Sequence, residues 1–394
     1  MTDKMQPKIR FKGFTDPWEQ RKFSDFLSES RDFGSTGLTA KRLTVKLWGK
    51  GVVPKENPLR GSYSTKYYLR HPGQFIYGKL DFLHAAFGII PRSLEGFEST
   101  LDSPAFNLIN GIDPTFLIEY VTRKEFYIRQ GEIANGSRRA KRIHVDTFLN
   151  MPLVLPISIE QSKIGNIFNV LNNTIAANQN KVDQLKQLKK LLMQKVFSQE
   201  WRFKGFTDPW EQRKLGILGS LERGKSKHRP RNDPTLFGGA TPFIQTGDVA
   251  KASLFLSAYS QTLSAIGVQQ SKVWPAGTLV ITIAANIADS TIVRFNTAFP
   301  DSIIGFQSDN CDLVFIKEQL DYQSGKIRSI ADTGTQANLN LKKLSNLNFA
   351  IPSINQQKQV GNIFMKLEYL IAANQRKLNQ LKLLKKYLMQ NMFV

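Results

Sequence analysis

Thirteen consecutive residues, RFKGFTDPWEQRK from Arg10 to Lys22, recur without a substitution from Arg202 to Lys214. Chance does not produce such an identity, so the chain is a duplication and must fold as two related units. Later matches carry a different offset. Gly165-Asn166-Ile167-Phe168 returns as Gly361-Asn362-Ile363-Phe364, Ala176-Ala177-Asn178-Gln179 as Ala372-Ala373-Asn374-Gln375, and Leu192-Met193-Gln194 as Leu388-Met389-Gln390. The offset has grown from 192 to 196 residues, so each unit keeps its ends while its interior diverges. The organisation expected is a short segment (1–22), an insert (23–155), a shared helix (156–197), the repeated segment (198–214), a second insert (215–350) and a second helix (351–394).

The shared helices follow from period. Ile164, Phe168, Leu171, Ile175, Asn178, Val182 and Leu185 step by alternating fours and threes, as do Val360, Phe364, Leu367, Ile371, Asn374, Leu378 and Leu381. That is the seam of a coiled coil, and neither proline nor glycine interrupts it after Gly165 or Gly361. Asn178 and Asn374 fall on the seam, where a buried polar side chain costs stability but fixes register. Two matched seams in one chain are expected to pack on each other, antiparallel because a whole insert lies between them.

The inserts read as α/β (α+β). Thr278–Ile283, Ile292–Phe295, Gln74–Tyr77 and Phe116–Val121 are runs of β-branched and aromatic residues that predict strands. Faint echoes join the inserts: Arg70-His71-Pro72-Gly73 with Val273-Trp274-Pro275-Ala276-Gly277, and Gly136-Ser137 with Gly334-Thr335. A shared scaffold with different surfaces is expected.

Charge selects the partner. A formal net charge of +22 on a chain that is 41% hydrophobic marks a globular protein that meets a polyanion, here nucleic acid. No apolar run approaches the ~20 residues that span a bilayer, and the first residues lack a signal-peptide core, which predicts a cytoplasmic protein without membrane contact. Basic residues cluster at Lys41, Arg42 and Lys46, at Arg138, Arg139, Lys141 and Arg142, and at Arg223, Lys225, Lys227, Arg229 and Arg231. These are the candidate phosphate contacts.

Catalytic signatures do not assemble. Cys311 stands alone and the four histidines have no metal-ligand spacing. Gly219-Ser220-Leu221-Glu222-Arg223-Gly224-Lys225-Ser226 matches the P-loop pattern, yet Pro230 and Pro234 follow where a phosphate-binding helix should begin. No methyltransferase tetrapeptide, glycine-rich cofactor loop or nuclease cluster is evident. The chain reads as a binder.

The repeated frame, Pro7-Lys8-Ile9-Arg10-Phe11-Lys12-Gly13-Phe14 with Trp18-Glu19, and the Gly-Asn-Ile-Phe … Leu-Met-Gln helices resemble the specificity subunit of type I restriction–modification enzymes. Pro242–Val249 and Gly334–Asn340 are similar to recurring stretches of that family's target-recognition domains, which adds Gln245, Gln336 and Asn338 as candidate DNA contacts. The resemblance implies two target-recognition domains separated by two long antiparallel helices in a pseudo-two-fold repeat, each domain reading half of a split site on double-stranded DNA. It implies two modification subunits as partners, with restriction subunits added, and places S-adenosylmethionine, ATP and Mg on those partners, leaving this chain without a cofactor or catalytic residue. Two departures stand out. The first helix opens with Glu160-Gln161 and the second with Asn355-Gln356-Gln357, and the Gly-Thr-Gln stretch of the second insert is Gly136-Ser137-Arg138 in the first. The competing expectation is a stand-alone DNA-binding regulator.

Overall fold

The computed structural model describes residues 5–56, 62–132, 142–228, 230–331 and 339–394. The chain divides into two units: Met1–Ala177 with Lys377–Val394, and Asn178–Arg376. Each unit therefore owns part of both long helices, Ser158–Phe197 and Ile354–Asn391.

The repeated peptide forms the tie that closes each insert. In unit 1, Glu19–Lys22 pairs antiparallel with Pro152–Leu155, Glu19 opposite Leu155 and Lys22 opposite Pro152. In unit 2, Glu211–Lys214 pairs with Asn348–Ile351 in the matching register. Lys22 Nζ donates to Asn150 Oδ1 at 3.0 Å, and Lys214 Nζ to Asn346 Oδ1 at 3.0 Å. The change of offset is taken up inside the insert, so the second strand of each tie enters its long helix at the same place.

Between the tied ends, both inserts build the same sheet. Unit 1 orders its strands Leu27–Ser30, Ala105–Leu108, Phe75–Tyr77, Phe87–Ile89, and unit 2 orders Ser220–Arg223, Ile303–Gln307, Leu279–Thr282, Ser290–Val293 before adding Phe255–Leu256 at the edge. The echo around Gly73 and Gly277 lies at equivalent turns. Each glycine has positive φ (+84° and +89°), and their N–H groups donate to Ile90 O and Val293 O. The echo at Gly136 and Gly334 lies outside the described residues.

The strand expected at Phe116–Val121 is a helix, Pro114–Val121. Asp113 caps it by accepting from the N–H groups of Thr115 and Phe116, with proline at the first helical turn. That Asp-Pro start outweighs the β-branched composition of a short apolar run, which period alone cannot assign. Asp312 accepts from Phe315 N–H at the start of Leu313–Ala331 in unit 2.

These caps explain the shared Gly-Asn-Ile-Phe motif. A Cβ on Gly165 would lie 2.3 Å from Asp113 Oδ1, and one on Gly361 would lie 2.4 Å from Asp312 Oδ1. The neighbouring glutamines complete the junction. Gln161 Oε1 accepts from Asp113 N–H while its amide donates to Pro156 O; Gln357 does the same with Asp312 and Pro352. The glycine sits mid-helix because two helices meet there with no room for a methyl group.

Each core is completed by a distant helix end. In unit 1 the Phe393 ring packs on Trp18, Phe116 and Phe168 with centroids 6.4, 5.4 and 5.6 Å away. In unit 2 Phe197 packs on Trp210, Phe315 and Phe364 at 6.4, 5.5 and 6.0 Å. In either unit, the first turns of one long helix lie against the last turns of the other, the antiparallel sense expected. Ile164, Phe168, Leu171, Val182 and Leu185 are buried, as are Val360, Phe364, Leu367 and Leu378. Asn178 and Asn374 are half-buried, and Asn374 donates to Leu370 O one turn back.

Identical peptides do not guarantee identical contacts. Arg10 makes a bidentate pair with the buried Glu160, both bonds 2.8 Å. Its copy Arg202 donates instead to Thr207 O, Asp208 O and Gln199 Oε1, because the second helix carries the neutral Gln356 where the first has Glu160.

Candidate nucleic-acid interface

In unit 2 the basic run leaves the sheet at its edge. Ser220–Arg223 is the outer strand, held to Ile303–Gln307, and the chain then runs through Lys225 and Lys227 to the turn at Pro234–Leu236. Arg223, Lys225 and Lys227 are exposed, and none has an ion-pair partner among the described residues. Arg231 is paired to Asp301 Oδ2 at 2.7 Å, and Arg229 lies outside the described residues. The pattern glycines have packing roles: a Cβ on Gly219 would meet Gln307 O at 2.2 Å, and one on Gly224 would meet Phe299 O at 2.1 Å. A strand occupies the middle of the motif, and Ser226 bridges to Ser271 rather than opening a helix. The fold of this stretch is not that of a P-loop.

Gln245 precedes the helix Thr246–Lys251, and its amide donates to Gln261 Oε1 at 2.9 Å. Its backbone N–H donates to Asp248 Oδ2, so the side chain is presented from a rigid turn. Gln336 and Asn338 lie outside the described residues; Asn340 just beyond caps the helix Leu341–Ser345.

In unit 1, Lys41 and Lys46 are exposed at the two ends of the strand Leu43–Val45. Arg42 is half-buried over the Tyr67 ring, 5.2 Å from its centroid, and donates to Gly37 O. Arg138, Arg139 and Lys141 lie outside the described residues, while Arg142 stands 3.7 Å from Asp102 Oδ1. Among the described residues, Lys41, Lys46 and the unit 2 loop present free cations, whereas Arg42, Arg142 and Arg231 are each engaged by protein groups.

Sequence reasoning missed two buried ionic clusters. Lys385 Nζ donates to Glu119 Oε1 at 2.9 Å and Asn172 Oδ1 at 2.7 Å in unit 1. Lys189 Nζ donates to Glu318 Oε1 at 2.9 Å and Glu368 Oε1 at 2.6 Å in unit 2. Burial lifts the Glu318 carboxyl above the usual range despite the attraction of Lys189, while Glu318 and Glu368 outweigh burial and raise the Lys189 ammonium. The 196-residue offset relates Lys189 to Lys385 and could have flagged them. Among the described residues, no cluster could hold a metal ion, and no helix is long and apolar enough to cross a membrane.

The model of the type I restriction modification DNA specificity domain matches residues 207–383, from the second copy of the repeated peptide to the C-terminal helix. The chain is thus similar to the specificity subunits of type I restriction–modification systems. The type I restriction enzyme MjaX specificity subunit of Methanocaldococcus jannaschii is 20% identical over 307 residues, covering 75% of this chain and 70% of that protein. The crystal structure of the type I restriction–modification S subunit from M. genitalium shares the fold, with a TM-score of 0.68 over 99% of both chains at 14% identity. The candidate residues of this chain are cations and amides carried on loops.

Proposed function

We propose that each insert reads one half of a bipartite, asymmetric site on double-stranded DNA, and that the duplicated frame docks two copies of a modification subunit. The observation that carries this reading is the contrast between frame and insert. The strand pairing of the ties and the Asp–Gln contacts of the helix junctions repeat in both units, so they offer one partner a closely similar surface twice. The inserts share a sheet order but differ in the residues at their loops, so they offer DNA two different surfaces. Phosphate contacts position a protein and side chains at base edges specify the sequence, so divergent loops on a common sheet give two preferences from one architecture.

The long helices act in this reading as the ruler. A helix cannot stretch, and each added turn of about four residues lengthens it by ~6 Å, so helix length fixes the spacer between half-sites. Asn178 and Asn374 hold the register. S-adenosylmethionine, ATP and Mg belong to the modification and restriction subunits of a cytoplasmic complex. The test is a methylome. Replacing residues 23–150 with the corresponding insert of a relative should change one half-site and leave the other half and the spacer intact. A swap that changed both halves, or neither, would defeat the proposal.

A further inference from the structure

The unit 1 hairpin Leu43–Val45/Val52–Pro54 anchors Leu43 and Val52 in a small core with Ile76, Ile90 and Leu94. Its tip reads Lys46-Leu47-Trp48-Gly49-Lys50-Gly51. Trp48 has φ +60° and Gly49 has φ +62°, and Lys50 N–H donates to Leu47 O across the turn. Two consecutive left-handed residues make a type I′ turn, whose central positions ordinarily hold Asn, Asp or Gly because a bulky side chain is crowded there. Tryptophan works against this turn.

The strain is held from outside. Trp48 N–H donates to His84 O at 2.7 Å and Gly49 N–H to Ala85 O at 2.8 Å, and Ala85 is itself left-handed at φ +48°. A Cβ on Gly49 would lie 2.8 Å from Thr122, so the turn is clamped on both sides. Yet the indole is not buried. It meets the His84 ring edge-on at 5.5 Å and remains 55% exposed, whereas Trp18, Trp210 and Trp274 are all buried. Packing within unit 1 gives no reason for the ring, and strain maintained by surrounding bonds points to a use outside the fold.

The neighbours indicate what that use is. Lys46 and Lys50 stand two residues before and after Trp48 in the turn, both accessible and without an ion-pair partner among the described residues, and Lys41 is exposed at the base of the hairpin. Asp81 is the carboxylate on the facing turn, 3.6 Å from His84 Nδ1. An apolar plate between cations complements a polyanion that has apolar faces: phosphates for the lysines, a base or sugar for the ring. We infer that Trp48 is a DNA-contacting wedge, pressed against the bases or sugars of the duplex by a hairpin tip whose lysines hold the adjoining phosphates. This rests on the reading that unit 1 binds duplex DNA. A turn already clamped in its strained form needs no further backbone ordering when the ring engages.

Two substitutions separate turn from wedge. Trp48→Asn gives the turn a residue it favours, and Trp48→Phe keeps an aromatic plate. The full chain, with the subunits that co-purify with it, is used to enrich a pool of random-sequence duplexes, and each variant is measured against the enriched DNA. Trp48→Asn should melt no lower than the parent and bind about tenfold more weakly, with Trp48→Phe within about threefold of the parent. In a Trp201→Phe background, acrylamide quenching of Trp48 should fall when the duplex is added. Undiminished binding by Trp48→Asn, a lower melting temperature for it, loss of the co-purifying subunits, or unchanged quenching overturns the wedge. A parent that enriches no duplex sinks the DNA reading and the wedge together; enrichment by the parent followed by any of those results sinks the wedge alone.

Discussion

Lys385 donates to Glu119 across 2.9 Å, joining residues 266 positions apart in the chain. The same bond, at the same length, joins Lys189 to Glu318 in unit 2. In each case a lysine from the far part of one long helix neutralises a glutamate buried in a unit that the other long helix begins. Removing a lysine leaves a buried carboxylate without its countercharge, which costs about 3–5 kcal/mol, whereas replacing both partners with apolar residues is far less costly. Lys189→Met and Lys385→Met should each destabilise the protein by roughly that amount, and Lys189→Met/Glu318→Leu should regain most of it. Chemical denaturation of the singles and the double checks this; a double no better than the single would contradict it.

The pH dependence of the Lys189→Met variant follows from the raised Glu318 carboxyl. A carboxyl whose folded pKa exceeds its unfolded value holds more protons when folded, so its contribution to stability falls as pH rises through the interval between the two values. Burial is the cause of the upward shift and Lys189 opposes it. Taking Lys189 away widens the interval upward from the ordinary carboxyl value. The deficit of the variant relative to the parent should therefore be small near pH 4 and grow toward neutrality, read as the difference in denaturation midpoint across that range.

Gly165→Ala and Gly361→Ala should destabilise. Helix propensity alone favours alanine by about 1 kcal/mol. The new methyl group would sit 2.3 or 2.4 Å from the capping aspartate, and overpacking of that kind costs about 1–3 kcal/mol. The clash wins, since the aspartate is fixed by its bonds to the next helix. A rise in melting temperature for either variant would show that the junction can open.

Arg10→Gln and Arg202→Gln should differ although they alter the same letter of the same peptide. Arg10 faces a fully buried Glu160, and its loss should cost about 3 kcal/mol. Arg202 holds backbone carbonyls and a glutamine amide at the surface, and its loss should cost under about 1 kcal/mol. Equal midpoints for the two variants would contradict the assigned partners.

Alanine at Arg223, Lys225 and Lys227 should weaken binding to duplex DNA across sequences. The slope of log affinity against log salt should fall by up to about 0.9 for each phosphate that is no longer neutralised. Arg231→Ala should change the slope less, because Asp301 already engages its guanidinium. Titration at two salt concentrations distinguishes these outcomes.

The sequence makes the frame legible because its signals are local or repeated. The seam of fours and threes predicts both long helices, and their seam residues are buried from Ile164 to Leu185 and from Val360 to Leu378 apart from the half-buried stretch around Asn178 and Asn374. Repetition marks Lys22 and Lys385 as shared positions but not their partners Asn150 and Glu119, which lie more than a hundred residues away. Phe116–Val121 misleads because a short apolar run carries no decisive period, and the deciding Asp113-Pro114 start lies just outside it. Trp48 escapes notice for a related reason. A tryptophan next to a glycine gives no sign of a left-handed turn until its φ is known.

Phe393 fills the aromatic socket of Trp18, Phe116 and Phe168, but it leaves the ribosome after every residue of unit 2 has been made. Phe197, which fills the matching socket of unit 2, emerges before nearly all of the residues that will surround it. The nascent chain thus carries an open socket from early on, and carries a matching aromatic key that belongs elsewhere. The order of synthesis and the order of completion are reversed, and the unit that starts first is sealed last.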